Sequence, residues 1–447
     1  MSLHADSIRN CLSRGPLLGR QLVELLGFSQ PTLSRALVGL GDEIIRFGSG
    51  RAIQYALRDL ARGLPDIPVY RVDPSGQIRR LGTLIPVRPD GFVMRQENEV
   101  TLHSDSLPWW LSDMRPQGYL GRSYAARHGA ELGLPDRLID WNDTHAMRAL
   151  LAHGHDVVGN LLLGDVARNR FLSASAPIPI AEEEKAEQYV RLARDAARGE
   201  IPGSSAGGEQ PKFTAFATTP SGPRHVIVKF SESVEGPVSE RWRDLLLAEH
   251  LALETLREGG VPAACTRVFD IGAQRFLEVE RFDRVGSAGR RALMSLGALD
   301  AEFVGLGTGG WPQIARRLAD EGQIHPEAAD GADLLWAFGT LIGNSDMHVG
   351  NLSFVSEHGR PYDLAPAYDM TPMSFSPRSG GGLPDTILEA NIRSDIANET
   401  WRRAEDLARA YLRRAKTNRG FGPRFEACIS ALENHVETAS VKIGRLG

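Results

Sequence analysis

Cysteine is scarce in this chain of 447 residues, and long apolar runs are absent. The three cysteines, Cys11, Cys265 and Cys428, stand far apart without a C-x-x-C pair, which argues against a disulfide framework and a cysteine zinc site. No apolar run approaches the ~18 residues that cross a bilayer, and the N-terminus lacks a basic segment followed by an apolar core. We therefore expect a cytoplasmic protein with no membrane partner.

The net charge of −5 is divided unevenly along the chain. Residues 1–62 contain eight arginines and five acidic residues, a balance of +3, which leaves −8 for the remainder. A basic balance suits a polyanionic partner such as nucleic acid. The N-terminal segment is therefore the part of the chain whose charge favours DNA binding.

Two short helices are predicted in this segment. The first covers residues 19–26 and is stopped by Gly27, and Ser29 can cap the second. The second helix has one apolar stripe at i, i+4 and i+7, formed by Leu33, Leu37 and Leu40. Its opposite face has side chains suited to base edges and phosphates, namely Gln30, Thr32, Ser34 and Arg35.

A hairpin follows the two helices. Residues 44–47 and 51–57 alternate in polarity around a glycine turn, and Arg46 and Arg51 flank its tip. Two helices joined by a short turn and followed by a hairpin resemble a winged-helix DNA-binding domain over residues 1–62. The alternative for this segment is a protein–protein docking module.

The C-terminal half contains a spacing typical of phosphoryl transfer. Asp346 is followed five residues later by Asn351, and Asp369 stands further on in an apolar context. In kinase loops of the D-x-x-x-x-N kind, the first Asp accepts the proton of the attacked hydroxyl. The Asn and the later Asp hold magnesium. The pattern predicts Asp346 as the catalytic base and Asn351 and Asp369 as metal ligands.

Further parts of a phosphate site precede this loop in the expected order. Residues 225–230 read as a buried strand with one lysine, Lys229, which needs a charged partner if it is buried. Glu249, in a helix predicted over residues 238–258, is the candidate partner. A glycine-rich segment, residues 203–213, precedes the strand and suits phosphate oxygens. Taken alone, Lys229 could also snorkel to solvent.

With these elements in order, the chain resembles the HipA family of bacterial serine/threonine kinases, the toxins of HipBA-type toxin–antitoxin systems. The resemblance runs from about residue 66 to the C-terminus. It rests on residues 204–207, 279–284, 344–351 and 364–369. It implies ATP and Mg²⁺ as cofactors and the roles given above for Asp346, Asn351, Asp369 and Lys229. The other nucleotide-binding positions that it implies are Ser205, Ala206, Gly207, Glu280, Phe282 and His348.

The role of His348 and the identity of the phosphorylated serine each have an alternative. His348 matches a family position, although a hydrogen bond that braces the loop is its simpler interpretation. Family members can phosphorylate a serine of the glycine-rich loop, and Ser204 matches it best. Because Pro211 is inserted before Lys212 and a second serine follows, Ser205 is the alternative. Phosphorylation would add roughly −1.5 to −2 charges to a loop that holds anions.

The expected fold is α+β: a two-lobed HipA-like protein kinase with a small β subdomain and an N-terminal winged helix. The expected boundaries are residues 1–62 for the winged helix and 66–115 for the β subdomain, with 59–68 as a linker. They are 116–283 for the kinase N-terminal lobe, with the glycine-rich loop, and 284–447 for the α-rich C-terminal lobe.

The function predicted on this basis is an ATP-dependent protein serine/threonine kinase, the toxin of a type II toxin–antitoxin system, with autoregulation through DNA binding. The resemblance implies an aminoacyl-tRNA synthetase or another translation protein as the substrate, and an antitoxin as a partner. Two alternatives stay open. One is a small-molecule phosphotransferase of the aminoglycoside-kinase kind, and the other is a nucleotide-sensing transcription regulator.

Overall fold

Helices and strands alternate along the chain and separate into two units, each with its own core. The computed structural model describes residues 3–198, 210–307, 309–357, 359–387 and 389–446. The first unit comprises Met1–Asp73, Gln77–Arg115 and Glu131–Ala174, and the second comprises Pro74–Gly76, Pro116–Ala130 and Ser175–Gly447. Among the described helices, none is long and apolar enough to cross a bilayer.

The first unit begins with three helices and a small antiparallel sheet of strand order β1-β3-β2. These elements are α1 (Leu3–Leu12), β1 (Leu17–Leu18), α2 (Gly19–Leu26), α3 (Gln30–Leu40), β2 (Ile44–Phe47) and β3 (Gln54–Leu57). Helix α2 ends at Gly27, which is left-handed, and the Ser29 hydroxyl caps α3 by accepting the Thr32 N–H at 3.3 Å. Helix α2 has the predicted bounds and α3 has the predicted Ser29 cap, whereas the second hairpin strand begins at Gln54 rather than at residue 51.

A five-stranded antiparallel sheet of order β7-β6-β5-β4-β8 completes the first unit. Its strands are β4 (Ile67–Val72), β5 (Ile78–Pro86), β6 (Phe92–Gln96), β7 (Thr101–Ser104) and β8 (Leu161–Leu163). Three helices lie between β7 and the end of this region: α4 (Gly118–His128), which belongs to the second unit, α5 (Asp143–His153) and α6 (Gly164–Ser173). Met147 and Leu150 of α5 pack into the core on one face of the sheet.

The hairpin of β2 and β3 packs on the other face of this sheet. The shared core consists of Ile45, Phe47, Ala56, Ile85, Val87 and Val93. Residues 59–68, expected to be a linker, are instead packed, because Asp59 is buried in an ion pair with Arg62 at 3.0 Å and Ile67 already begins β4. The linker prediction is therefore wrong, and the hairpin is continuous with the sheet that follows it.

The second unit begins with a four-stranded antiparallel sheet of order β11-β12-β10-β9. Its elements are α7 (Lys185–Ala197), β9 (Lys212–Thr219), β10 (Gly222–Phe230), α8 (Pro237–Glu258), β11 (Thr266–Ile271) and β12 (Gln274–Glu280). Helix α7 buries Tyr189 against Val226 and Phe276 of this sheet. Strand β10 and helix α8 lie where the sequence predicts them.

Helices dominate the remainder of the second unit. The elements are β13 (Arg284–Val285), β14 (Gly289–Arg290), β15 (Ala292–Ser295), α9 (Leu296–Leu299), α10 (Trp311–Asp320), α11 (Pro326–Leu341), β16 (Ser353–Ser356), β17 (Asp363–Leu364), α12 (Asn398–Thr417) and α13 (Glu426–Ile443). Strands β15, β16 and β17 form one sheet, and the loop between α11 and β16 contains the D-x-x-x-x-N sequence. The mixture of helix and sheet confirms the predicted α+β class.

Candidate active site

Lys229 joins three elements of the second unit through two carboxylates. It lies on β10 with 7% of its surface exposed, and its Nζ donates to both carboxylate oxygens of Glu249 on α8, at 2.7 and 2.8 Å. The same Nζ also pairs with Asp369. The Thr371 hydroxyl donates to Glu249 at 3.0 Å, so the buried carboxylate has a second donor. A lysine buried in a strand is stable only with such partners.

The charges of this cluster are shifted by burial and by one another. Burial lowers the pKa of Lys229, but Asp369 and Glu249 outweigh it, so that its pKa is raised and the ammonium stays charged. Burial raises the pKa of Asp369, but the cations Lys229 and Lys212, with His348, hold its pKa below the usual range. Burial raises the pKa of Glu249 although Lys229 opposes it. Asp369 is therefore the firmly ionised carboxylate of the cluster.

A chain of hydrogen bonds connects Asp369 to the predicted base. The Asn344 side-chain amide donates to the backbone oxygen of Asp369 at 3.5 Å, and its Oδ1 accepts the Asp346 N–H at 3.0 Å. The Asn351 amide then donates to the Asp346 backbone oxygen at 2.9 Å. Asn344 and Asn351 are buried, whereas Asp346 is exposed. The loop thus presents the carboxylate of Asp346 on a backbone held by two buried amides.

His348 and its neighbours shape the middle of the same loop. The His348 Nδ1 accepts the Gly350 N–H at 3.0 Å, and its backbone oxygen accepts the Trp311 indole N–H at 2.9 Å. A Cβ at residue 350 would approach the His348 ring to 2.8 Å, so a larger residue there would displace that ring. His348 therefore braces the loop and also lies close enough to Asp369 to lower its pKa.

Asn351 and Asp369 have the donor atoms that Mg²⁺ prefers. Because the Asn351 nitrogen is committed to Asp346, its carbonyl oxygen is the end available to a cation. Asp369 is ionised and has a left-handed backbone (φ 57°), a conformation that Asp tolerates better than most residues. Over the described part of the chain, no group of three or more His, Cys, Asp or Glu could hold a metal. Magnesium commonly takes few protein ligands together with phosphate oxygens, so the two side chains fit this ion.

The residues predicted beside the adenine lie at the end of β12 and just after it. The Glu280 carboxylate accepts the Thr219 hydroxyl at 2.6 Å. The Phe282 ring lies 5.7 Å from the Tyr368 ring, centroid to centroid. The Tyr368 hydroxyl donates to the backbone oxygen of Gly350 at 2.8 Å. Tyr368 therefore connects Phe282 with the loop that contains Asn351.

The glycine-rich segment adds one residue that the sequence analysis left without a role. Ser204, Ser205, Ala206 and Gly207 lie outside the described residues. Lys212, near the end of this segment, is the first residue of β9 and stands opposite Lys229 in the register of β9 and β10. It is also one of the cations that lower the pKa of Asp369. Its position at the end of a glycine-rich segment was the sequence signal that could have indicated a role for Lys212 in the site.

The predicted DNA-binding residues lie on α3 and on the hairpin. Gln30, Ser34 and Arg35 are exposed on α3, and Arg46 and Arg51 are exposed on the hairpin. Thr32 is half-buried, and its hydroxyl shares a hydrogen bond with the Ser29 hydroxyl at 2.8 Å.

Comparison with known proteins gives the class of this chain. Residues 204–439, more than half of the chain, match the model of the HipA-like C-terminal domain, and residues 64–172 match that of the YjjJ-like toxin, middle domain. The chain belongs to the HipA-like toxin family, as the sequence resemblance predicted.

Two individual relatives show how far the likeness extends. Toxin YjjJ of Escherichia coli (strain K12) is 38% identical over 445 residues, which cover 99% of this chain and 100% of the relative. The solved complex of HipA, HipB and operator DNA from the Shewanella oneidensis MR-1 toxin–antitoxin system contains a chain with a TM-score of 0.53 and 18% identity. The match covers 85% of this chain and 97% of that one. At that identity the likeness shows a shared fold.

Proposed function

We propose that this chain is an ATP- and Mg²⁺-dependent protein serine/threonine kinase that acts as the toxin of a toxin–antitoxin system. The observation that supports this most strongly is the buried Lys229, paired with both Glu249 and Asp369. A lysine paired with a helix glutamate and next to a metal-binding aspartate is the arrangement that phosphoryl transfer requires. Membership of the HipA-like toxin family supports the same function.

The side chains have separable roles in this proposal. Lys229 and Lys212 neutralise phosphate charge, and the exposed carboxylate of Asp346 accepts the proton of the acceptor hydroxyl. Asn351 and Asp369 would hold magnesium, which when bound would supply positive charge to stabilise the phosphate oxygens. Glu280 and Phe282 border the adenine, and Ser204 or Ser205 is the site of autophosphorylation.

Calorimetric titration with Mg-ATP tests the nucleotide site directly. Wild-type protein should bind ATP more tightly with Mg²⁺ than without it, and Asp369→Asn should lose most of that difference. Asp363→Asn is the matched control, because Asp363 is an exposed carboxylate six residues upstream. Equal magnesium dependence in wild type and Asp369→Asn would refute the proposed metal site.

The acceptor class is tested by comparing phosphoproteomes. Cells that express wild type should gain phosphoserine or phosphothreonine on a translation protein, such as an aminoacyl-tRNA synthetase, that cells expressing Asp346→Asn lack. Phosphorylation of aminoglycosides or sugars without any new phosphoprotein would instead identify a small-molecule phosphotransferase.

We further propose that residues 1–62 bind DNA as a winged helix and that an antitoxin is a partner. The order α1, β1, α2, α3, β2, β3 and the exposed polar face of α3 support DNA binding.

Because the hairpin packs on the following sheet, the test of DNA binding uses the full chain. Wild type should bind a duplex of the promoter region upstream of its own gene in a salt-dependent manner, and Arg35→Gln should weaken binding. Undiminished binding by Arg35→Gln would refute this assignment of α3.

A further inference from the structure

The tip of the hairpin, residues 48–52, is fixed to the five-stranded sheet. The Gly48 N–H donates to the Thr101 hydroxyl on β7 at 2.9 Å, and the Phe47 ring stacks on His103 at 4.9 Å. Gly48 has φ +80°, and a Cβ there would lie 2.5 Å from the Ala52 backbone oxygen. Gly48 and Phe47 therefore hold the start of the tip against β7.

Arg95 lies on the sheet directly beside this anchor. In the register of β6 and β7, Arg95 stands opposite Thr101, so both side chains are on the sheet face that the hairpin covers. Opposed residues have Cβ atoms about 4.5–5.5 Å apart, which places the Arg95 side chain within roughly one side-chain length of Gly48. Arg95 is exposed, so the end of the hairpin does not cover it.

In the described part of the chain, the arginines on the hairpin and on β6 lack the acidic partner that a neighbouring arginine has. Within the described residues, the side chains of Arg46, Arg51 and Arg95 have no ion pair, whereas the adjacent Arg80 pairs with Glu97 at 3.2 Å. An arginine without an acidic partner keeps all its donors available for a phosphate group. Arg51 at the tip and Arg95 on the adjacent sheet are therefore unpaired arginines on both elements. Arg46 lies on the opposite face of β2, because its neighbours Ile45 and Phe47 pack on the sheet.

We propose that the DNA-binding surface continues from the hairpin onto the five-stranded sheet and that Arg95 neutralises a backbone phosphate there. This inference rests on the proposed DNA binding by residues 1–62. A DNA backbone fits the surface better than a protein partner does. The apolar face of the hairpin is already buried on the sheet, so the groups left exposed there include unpaired arginine side chains. A phosphate contact adds affinity and salt dependence without sequence preference.

The test measures binding of the full chain to a labelled duplex of the promoter region upstream of its gene, at several salt concentrations. Arg95→Gln should reduce the slope of log K against log salt by about 0.9, the value for one phosphate contact. It should weaken binding to a scrambled duplex by the same factor, and Arg95→Lys should keep the wild-type slope. Arg137→Gln is the matched control, because Arg137 is 73% exposed and lies outside the sheet in the same unit.

The outcomes distinguish a failure of this inference from a failure of the proposed DNA binding by residues 1–62. If Arg35→Gln weakens binding but Arg95→Gln leaves the slope unchanged, the inference about Arg95 is wrong and the assignment of α3 to DNA binding is retained. Equal losses in Arg95→Gln and Arg137→Gln would mean a general charge effect and would also overturn the inference. If wild type binds neither duplex, both proposals fail. Circular dichroism of each variant excludes unfolding as the cause of a loss.

Discussion

The side-chain amide of Asn351 donates a hydrogen bond to the backbone oxygen of Asp346, 2.9 Å away. The two ends of the D-x-x-x-x-N sequence are therefore joined directly, and the proposed metal ligand holds the backbone of the proposed base. Since an amide has one donor end and one acceptor end, only Asn or a close analogue can face a carbonyl oxygen and a cation at once.

Replacing Asn351 by Asp tests this double role. The variant keeps an oxygen ligand for magnesium but places a carboxylate oxygen against the Asp346 carbonyl. Losing one hydrogen bond and leaving a buried acceptor unsatisfied costs about 1–3 kcal/mol, so we expect kcat to fall roughly 10–100-fold. Steady-state kinetics measure the effect, with Asn98→Asp as control, because Asn98 acts as an acceptor for Val100 and Asp can replace it. Unchanged kcat in Asn351→Asp would contradict the loop geometry.

The buried pair of Lys229 and Glu249 predicts an asymmetric effect on stability. Lys229→Met leaves Glu249, 1% exposed, without its cation, which costs about 3–5 kcal/mol in the free energy of unfolding. The double variant Lys229→Met, Glu249→Met should recover part of that loss, because apolar side chains can replace a buried pair, although Asp369 still lacks the Lys229 cation. Both variants should be inactive. Urea titration measures the free energy of unfolding. A value for Lys229→Met equal to that of wild type would contradict the burial of the pair.

Asp244 predicts a dependence of stability on pH. Its Oδ1 accepts the Gly422 N–H at 2.9 Å, while Oδ2 is buried without a hydrogen-bond partner among the described residues. Burial raises its pKa to about 6, although the Gly422 N–H and Arg275 lower it. The folded state therefore holds this proton more tightly than the unfolded state. Its contribution to stability falls as pH rises from about 4 to about 6 and is constant above.

The stability of Asp244→Asn relative to wild type should accordingly increase as pH rises from 5 to 8. Asn keeps the acceptor for Gly422 and removes the cost of ionising a buried acid, which is about 3 kcal/mol at most. Urea unfolding at pH 5 and at pH 8 measures this change. Asp320→Asn, at an exposed carboxylate on α10, should show no such trend. A stability difference that is equal at both pH values would contradict the assigned cause.

The hairpin tip predicts a difference between two glycines. Gly48→Ala forces a left-handed alanine and sets its Cβ against the Ala52 backbone oxygen, whereas a Cβ at Gly50 meets nothing within 4 Å. Left-handed non-glycine residues cost about 1–3 kcal/mol, so Gly50→Ala bears that cost alone and Gly48→Ala adds a clash. Hydrogen exchange in β2 and β3 should rise more in Gly48→Ala. Equal exchange in both variants would refute the tip geometry.

Local signals predicted α2 and α3 well, because a glycine stop, a serine cap and a 3–4 apolar spacing act within a few residues. The packing of the hairpin on the second sheet was missed, because it joins residues far apart in the chain, such as Phe47 and Val93, which are 46 positions apart. Ile44 and Ile45 point to opposite faces of the strand and are both apolar, which was a usable sign that the hairpin is covered on both sides.

The site was predictable to a similar extent. Lys229 and Glu249 were paired correctly from sequence order, because a buried lysine must find an acid. The D-x-x-x-x-N loop was recognised by its spacing. Asn344 and Lys212 were assigned no role, because their roles depend on contacts with Asp369 across the fold. The predicted roles of the site residues stay predictions until variants are measured.

Transfer of the γ-phosphate from labelled ATP by wild type and Asp346→Asn tests the proposed kinase activity most directly. Wild type should label a protein hydroxyl, whereas the variant should bind Mg-ATP with similar affinity and transfer about 10²–10⁴-fold more slowly, the usual contribution of a general base. Transfer at the wild-type rate by Asp346→Asn, with Mg-ATP bound by both proteins, would contradict the assignment of Asp346 and with it the proposed mechanism.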